Sequence, residues 1–178
     1  MARRKIIVHI ATSADGFIAR PDGDIDWLTS RPAPKGFYGI STFMKSIDAT
    51  IFGRKTYDAS LQLGATYSAK SVNYVFSRHP PVAPPPAGVQ FVSEAIGPFV
   101  ERLRAAEGKN IWMMGGGELI ASFLDEGAID EFFVSIVPVF IGEGIPLIAP
   151  RHRLVPLDLQ SVERFPDGVA QLHWIVQR

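Results

Sequence analysis

Three consecutive glycines between a strand-like and a helix-like run are the feature of this chain best suited to chemistry. They are Gly115, Gly116 and Gly117, within the stretch IWMMGGGELIASFL at 111–124. A glycine turn that opens a helix leaves backbone N–H groups unbonded, and the helix dipole there favours negative charge. The missing side chains also let a ligand approach the backbone closely. The turn is therefore typical of a phosphate or pyrophosphate site, although three glycines also suit a plain tight turn.

Basic and hydroxyl side chains follow two other strand-like runs, directly where each run ends. One group is Gly53, Arg54, Lys55, Thr56 and Tyr57, and the other is Ser77 and Arg78. Ligands of open α/β sheets bind beyond the carboxyl ends of the strands. Arg and Lys at such ends suit the extra phosphate of a dinucleotide, while the glycine turn suits its pyrophosphate. Each basic residue alone is more typical of a solvated surface charge, but their shared placement favours a phosphate site.

The acidic residues that could transfer a proton lie on the first long loop, from residue 12 to about residue 36. Asp15, Asp24 and Asp26 are the candidates, although Asp is also common in turns and caps. Trp27 either stacks on a planar heterocycle or packs beneath the loop. Four residues after the long apolar strand either line the far side of the same pocket or form a plain glycine turn: Phe140, Ile141, Glu143 and Gly144. For all of these residues the sequence leaves both roles open.

Several chemistries are disfavoured by what the chain lacks. It has no cysteine, which removes disulfides, thiol catalysis and thiolate metal sites and suits a cytoplasmic enzyme. Its four histidines are far apart and lack metal-ligand spacing, so we expect no metal. Neither G-x-G-x-x-G nor a P-loop nor G-x-S-x-G occurs. Basic and acidic residues balance at 18 each, and no run approaches the ~20 apolar residues of a membrane span, so we expect no nucleic-acid or membrane partner.

Alternating strand-like and helix-like runs must position these residues, and they predict a single α/β domain over residues 1–178. Residues 5–11 (KIIVHIA) predict a buried strand, because they are nearly continuously apolar and mostly β-branched. Further strands are predicted at 49–53, 70–77, 89–92, 111–114 and 131–140. The spacing of apolar residues predicts helices near 40–47, 96–103 and 119–124, the second with Ser93 as its N-cap.

The C-terminal part is organised differently. Residues 159–165 and 169–176 flank Pro166-Asp167-Gly168, a strong turn signal, and predict an antiparallel hairpin. The whole pattern predicts a three-layer α/β fold with a mixed, mostly parallel sheet and this hairpin at one edge.

Four segments resemble the dihydrofolate reductase-like superfamily, and in particular its RibD C-terminal branch, named for the pyrimidine reductase of riboflavin synthesis. They are SADGFIA at 13–19, FGRKTY at 52–57, MGGGE at 114–118 and IDEFFVSIVPVFIGEG at 129–144, in family order. The resemblance spans most of the chain. It implies a dihydrofolate reductase-like fold, an NADPH-dependent reductase, and a homodimer formed through the apolar C-terminal strands.

The resemblance also implies a place for each group of residues. Segments like 53–56 and 77–78 contact the adenosine-side phosphates, and a segment like 115–119, with Glu118 and Leu119, holds the pyrophosphate. A cis peptide is implied at Gly115–Gly116 or Gly116–Gly117, and we expect the Glu118 side chain to point away from the phosphate. Ala11, Gly16, Phe17 and Ile18 lie along the cofactor, and Trp27 faces the substrate pocket. From the residues themselves we add Asp15 and Asp26 as candidate acids and Tyr57, Phe140 and Gly144 as candidate substrate-binding residues.

One departure separates the chain from true dihydrofolate reductases. Those enzymes place a carboxylate on their first helix to bind and help protonate the pteridine, whereas FYGISTFM at 37–44 contains no acid. We therefore do not expect folate reduction. The printed chain also shows nothing like the N-terminal zinc-binding deaminase domain of bifunctional riboflavin enzymes, so we interpret it as a stand-alone member.

Four functions stay open. The leading one is an NADPH-dependent reductase of a pterin-like or pyrimidine-like heterocycle. A second is the 5-amino-6-(5-phosphoribosylamino)uracil reductase of riboflavin biosynthesis. A third is an NADPH-binding protein without turnover, and a structural role without any nucleotide is the fourth.

Overall fold

The fold is an extended sheet with helices on both faces, seen in a computed structural model that describes residues 3–32 and 34–177. The strands are β1 (Ile6–Ser13), β2 (Phe17–Ala19), β3 (Ile47–Gly53), β4 (Val72–Phe76), β5 (Val89–Val92), β6 (Asn110–Gly115), β7 (Glu131–Val137), β8 (Ile145–Pro146), β9 (Leu157–Arg164) and β10 (Ala170–Val176). The helices are α1 (Asp26–Thr29), α2 (Ile40–Phe43), α3 (Arg54–Gln62), α4 (Ile96–Ala105) and α5 (Gly117–Asp125), with a 3-10 turn at Met44–Ser46. None of these described helices is long and apolar enough to cross a membrane.

Eight strands form one sheet in the order β5-β4-β3-β6-β1-β7-β10-β9. The strands from β5 to β7 run parallel to their neighbours, and β10 and β9 add an antiparallel hairpin at the far edge. The predicted mixed, mostly parallel sheet with its C-terminal hairpin is confirmed. Because the parallel strands share one direction, their carboxyl ends meet along one side of the sheet, which we name the carboxyl edge. It contains the ends of β4, β3, β6, β1 and β7.

Alternation of side chains along the strands gives the sheet two buried faces. Ile51 of β3 joins Phe99 of α4 and Ile120 of α5 in the largest buried cluster. Its neighbour Phe52 points to the opposite face and packs with Tyr57 of α3. Helices therefore cover both faces, and the predicted three layers are confirmed.

Several element boundaries differ from the prediction. The predicted strand at 131–140 ends at Val137, because Pro138 has no N–H to donate to a ladder. Ser93 is not the N-cap of α4, which begins at Ile96 after Ala95 and has no side-chain cap bond. Ile47 starts β3 rather than ending a helix. Helix α3 and the small β2–β8 sheet were not predicted; their apolar residues are too few for a clear period.

Candidate functional site

The glycine turn lies where β6 ends and α5 begins, beside the end of β3. Gly115 is the last residue of β6 and pairs with Phe52 of β3. Gly116 precedes α5, whose first residue is Gly117. The Gly115–Gly116 peptide is cis, the first of the two positions that the resemblance implied. Helices α3 and α5 therefore begin side by side on the carboxyl edge.

Each glycine of the turn meets a different constraint. Gly115 has a φ of +106°, which side-chain-bearing residues rarely adopt. A Cβ on Gly116 would lie 3.4 Å from the Thr56 hydroxyl, so the turn contacts the first turn of α3. A Cβ on Gly117 would overlap the carbonyl oxygen of Pro146. The turn is thus enclosed by α3 on one side and by backbone on the other.

The first backbone N–H groups of α5 have no hydrogen-bond partner among the described residues. The Gly116 carbonyl accepts the N–H of Leu119 at 3.0 Å, and no described residue accepts from the N–H of Gly117 or Glu118. The Glu118 carboxylate does not occupy this position, because it is largely exposed and pairs with Arg151 at 3.1 Å. A helix start of this kind can hold a pyrophosphate.

The basic residues singled out in the sequence lie one strand further along the carboxyl edge. Arg54 and Lys55 open α3 directly after β3 ends. Ser77 and Arg78 follow β4, which pairs with β3 as far as Gly53 and Phe76. The fold therefore brings the two basic segments to neighbouring strand ends beside the glycine turn.

Arg54 is the one of these three cations with an acidic partner among the described residues. Its Nε donates to both carboxylate oxygens of Asp58, at 2.9 and 2.8 Å. Its guanidinium lies 5.5 Å from the centre of the Phe91 ring. The terminal nitrogens of Arg54 donate to no described residue, and a guanidinium fork of this kind suits a phosphate. Sequence reasoning missed Asp58, although its spacing of four residues from Arg54 was a usable signal.

Asp15 ties the loop after β1 to the segment after β7. Its carboxylate accepts the backbone N–H groups of Ile141 at 3.2 Å and Gly142 at 2.8 Å. Hydrogen bonding by the Ser13 hydroxyl, and then by these N–H groups, holds the pKa of Asp15 below its usual range. Asp15 is thus an ionised tether here, and this geometry gives no support to its predicted role as a proton donor.

The rest of the first loop is joined to the same segment by backbone. Phe17 of β2 pairs with Pro146 of β8, and the Gly16 carbonyl accepts the N–H of Leu147 at 3.0 Å. A Cβ on Gly144 would overlap the carbonyl oxygen of Ala19. The close approach of two backbones therefore accounts for glycine at position 144, and Gly16, Phe17 and Ile18 form one unit with it.

Asp26 and Trp27, at the start of α1, have different surroundings. The Asp26 carboxylate accepts from Arg20 Nε at 2.6 Å, and that bond holds its pKa below the usual range. Trp27 is buried against Val137 and Val169, between the end of β7 and the start of β10. Its indole Nε1 has no hydrogen-bond partner among the described residues. Trp27 therefore packs beneath the loop, and its indole N–H donates no hydrogen bond to a described residue.

Long-range hydrogen bonds join Arg31 and Tyr38 to the C-terminal hairpin. The Tyr38 hydroxyl donates to Asp167 Oδ2 at 2.5 Å, and Arg31 donates to the Asp167 carbonyl at 2.7 Å. The Gln171 amide donates to the Tyr38 carbonyl and to Ser135 Oγ, both at 2.9 Å. None of these residues was a predicted site residue, and Asp167 was identified only as part of a turn.

Rings line the sheet beneath α2. His9, Phe133 and His173 occupy one row across β1, β7 and β10, and their rings stack. Phe43 of α2 lies 4.8 Å from the His9 ring. Burial lowers the pKa of His9 to about 4, so its ring is neutral near pH 7. Helix α2, with the sequence ISTF, contains no acidic residue.

The remaining predicted residues are dispersed. Ala11 lies on β1 opposite Ser135, near the carboxyl edge. Tyr57 is buried against the rings of Tyr67 and Phe91, and its substrate role stays a prediction. Phe140 is 82% exposed beyond the end of β7. Within residues 3–32 and 34–177, no group of three or more His, Asp and Glu side chains could hold a metal ion.

Comparison with known proteins decides the family. Residues 4–171 match the model of the RibD C-terminal domain family. The chain belongs to that family. This chain is 38% identical over 173 residues to the uncharacterised protein YwjB of Bacillus subtilis (strain 168). The match covers 97% of this chain and 98% of that protein.

Solved structures agree. The crystal structure of a protein provisionally assigned to riboflavin biosynthesis, from Shewanella sp. PV-4, is 29% identical with a TM-score of 0.84, covering 98% of this chain and 99% of that one. The dihydrofolate reductase of Enterococcus faecalis, complexed with NADP(H) and RAB-propyl, is 12% identical with a TM-score of 0.68, covering 98% and 97%. The dihydrofolate reductase-like fold and the RibD C-terminal relationship are therefore confirmed.

Proposed function

We propose that this RibD C-terminal domain protein is an NADPH-dependent reductase that transfers a hydride to a pterin-like or pyrimidine-like heterocycle. One observation carries the proposal: the unbonded N–H groups of Gly117 and Glu118 lie beside the basic segments of Arg54, Lys55 and Arg78. The N–H groups would bind the pyrophosphate, and the cations would bind the 2′-phosphate. The dihydrofolate reductase fold, solved elsewhere with NADP(H), supports the same cofactor.

NADPH, when bound, supplies the hydride, and the residues of this chain orient the reactants and exclude water. The loop held by Asp15 and the β2–β8 pair close one side of the carboxyl edge. The packed rings of His9 and Phe43 give the sheet surface beneath α2 an apolar character. Because Asp15 and Asp26 are ionised and already bonded, we propose solvent water as the source of any proton.

A second candidate is the 5-amino-6-(5-phosphoribosylamino)uracil reductase of riboflavin biosynthesis. The family and the provisional assignment of the Shewanella protein favour it. A third, NADPH binding without turnover, is favoured by the lack of an acid on α2 and by the paired state of Asp15 and Asp26. The proposal includes a cytoplasmic location, where NADPH serves as a biosynthetic reductant.

Turnover separates these candidates. Purified protein and NADPH are mixed with each of several dihydropteridines and, separately, with the ribosylaminopyrimidine. Oxidation of NADPH is followed by the loss of absorbance of its reduced nicotinamide. Reduction of the ribosylaminopyrimidine alone would select the riboflavin reductase, and reduction of a pteridine would select the leading proposal. Tight NADPH binding without oxidation by any of these compounds would select the binding protein.

We also propose that the protein is a homodimer that pairs through the face of β9 and β10 next to α5. In this hairpin Leu157, Leu159 and Val162 are opposite Val176, Trp174 and Leu172, so they share one face. All three β9 residues are exposed, at 43%, 52% and 60%. Beside them is an apolar hollow of about 340 Å³ lined partly by Leu124, Phe132 and Trp174. A continuous apolar surface of this kind is typical of an interface.

Sedimentation tests the dimer. We expect a dimer at micromolar concentration and a monomer for Leu159→Lys, because the new charge would be desolvated in the interface. Leu63→Lys is the matched control, since Leu63 is 67% exposed and lies on the loop after α3. A wild-type monomer would contradict the proposal.

A further inference from the structure

A carboxylate lies directly against the proposed phosphate-binding arginine. Asp58 pairs with Arg54 across one turn of α3, and their side chains are 45% and 41% exposed. Among the described residues, no acid forms an ion pair with Lys55 or Arg78. Among the described residues, Asp58 is therefore the one acid that forms an ion pair with Arg54, Lys55 or Arg78.

Asp58 can act on a bound phosphate in two opposite ways. By holding Nε of Arg54 it orients the guanidinium, which helps binding; by its charge it repels the phosphate, which opposes binding. An exposed pair at this spacing is worth only about a twofold change in an equilibrium constant. Two like unit charges about 4 Å apart repel by about fivefold in an equilibrium constant even in water, and a 2′-phosphate carries more than one charge. Repulsion is therefore the larger effect.

The orientation of Arg54 also has a second support. The guanidinium lies 5.5 Å from the centre of the Phe91 ring, and cations are attracted to aromatic faces at this separation. Loss of the Asp58 charge would leave that contact in place, so the terminal nitrogens would still be available to a phosphate.

We infer that Asp58 weakens the binding of a 2′-phosphate at Arg54 and so limits the preference of this protein for NADPH over NADH. The inference rests on the proposed NADPH site. It makes Asp58 a specificity-determining residue whose neutralisation sharpens discrimination between the two nucleotides instead of damaging it.

The test compares Asp58→Asn with Asp158→Asn. Both remove one negative charge from an exposed side chain, but Asp158 lies on β9, five strands from β3 in the sheet order. Calorimetric titrations use NADPH and NADH, and then 2′,5′-ADP and 5′-AMP, which lack the nicotinamide. For Asp58→Asn we expect on the order of fivefold tighter binding of NADPH and 2′,5′-ADP, and less than about twofold change for the other two. Asp158→Asn should match wild type.

Salt separates repulsion from a change in structure. The gain in Asp58→Asn should shrink in high salt, because exposed charges are screened there. Unchanged or weaker NADPH binding in Asp58→Asn would overturn the inference while leaving the NADPH site standing, and equal tightening of NADPH and NADH would do the same. Failure of the wild type to bind either nucleotide would remove the proposed function and the inference together.

Discussion

The two halves of the carboxyl edge are built by different means. At the glycine turn the close contacts are made by the backbone of the glycines: Gly117 lies against the Pro146 carbonyl, and Gly116 lies near the Thr56 hydroxyl. In the other half, Arg31 and Tyr38 are held to the sheet by hydrogen bonds to the C-terminal hairpin, at Asp167 and Gln171. The first half therefore requires glycine at fixed positions, while the second depends on long-range pairs of side chains.

The largest effect is expected from Gly117→Ala, which tests whether the glycine half is rigid. The new methyl group would overlap the Pro146 carbonyl, so the turn and β8 cannot both keep their positions. We expect the free energy of unfolding to fall by ~3 kcal/mol and NADPH binding to be lost. Urea denaturation and calorimetry measure the two quantities.

Gly97→Ala is the control for that substitution. Gly97 lies inside α4, where the nearest atom to a new Cβ is Glu126 Oε2 at 3.6 Å. Alanine should change the free energy of unfolding by no more than about 1 kcal/mol, because its better helix propensity is opposed by contact of the new Cβ with the ring of Pro98, and it should leave NADPH binding unchanged. Equal behaviour of the two variants would show that the glycine half is adaptable.

Acid should destabilise the fold through His9, whose ring packs beneath α2. Burial lowers the pKa of His9 to about 4 from 6.5, so between these values the unfolded chain binds a proton that the folded chain does not. The free energy of unfolding is then greatest above about pH 6.5 and falls as pH approaches 4. His9→Phe should remove roughly 2 kcal/mol of the loss between pH 7 and 4.5. His79→Phe, in an exposed loop, should keep the wild-type slope. An identical slope in His9→Phe would contradict this assignment.

Gln171→Leu tests the side-chain attachment itself. Both hydrogen bonds from the Gln171 amide would be lost, to the Tyr38 carbonyl and to Ser135, at a cost of about 1 to 2 kcal/mol. Amide hydrogen exchange should quicken over residues 34–43 and stay unchanged at the glycine turn. Gln90→Leu, at an exposed position of β5, should alter neither region. Faster exchange at the glycine turn as well would mean that the halves are not independent.

The smallest effect is expected from Asp15→Asn, at the boundary between the halves. The hydrogen bonds that hold the pKa of Asp15 low stabilise its ionised form, so the tether is fully present above the usual carboxyl range and is lost as pH falls through the lowered pKa. The variant should show faster exchange of the Ile141 and Gly142 amides at neutral pH. Wild-type exchange should approach that of the variant in acid, and a difference that persists unchanged in acid would argue against the tether.

This contrast also explains what the sequence could predict. The glycine turn, the basic strand ends and the Pro166–Gly168 hairpin were predictable because short local patterns encode them. The bonds of Tyr38 to Asp167 and Gln171 were not, because they join residues more than a hundred positions apart in the chain. The same holds for Asp15, whose acceptor role depends on a turn near residue 141. The burial of Tyr57 against Tyr67 and Phe91 was not predictable either, because an aromatic residue after a strand does not reveal which way it faces.

The central claim is that the glycine turn and the start of α3 together form the NADPH site. An amide NMR titration with NADPH tests it most directly, since every backbone N–H reports separately. We predict saturable shifts at Gly116, Gly117 and Glu118 and at residues 54–56, with β9 unchanged, and loss of the shifts at 54–56 when NADH replaces NADPH. Shifts confined to other parts of the chain, or no shifts at millimolar NADPH, would contradict the account.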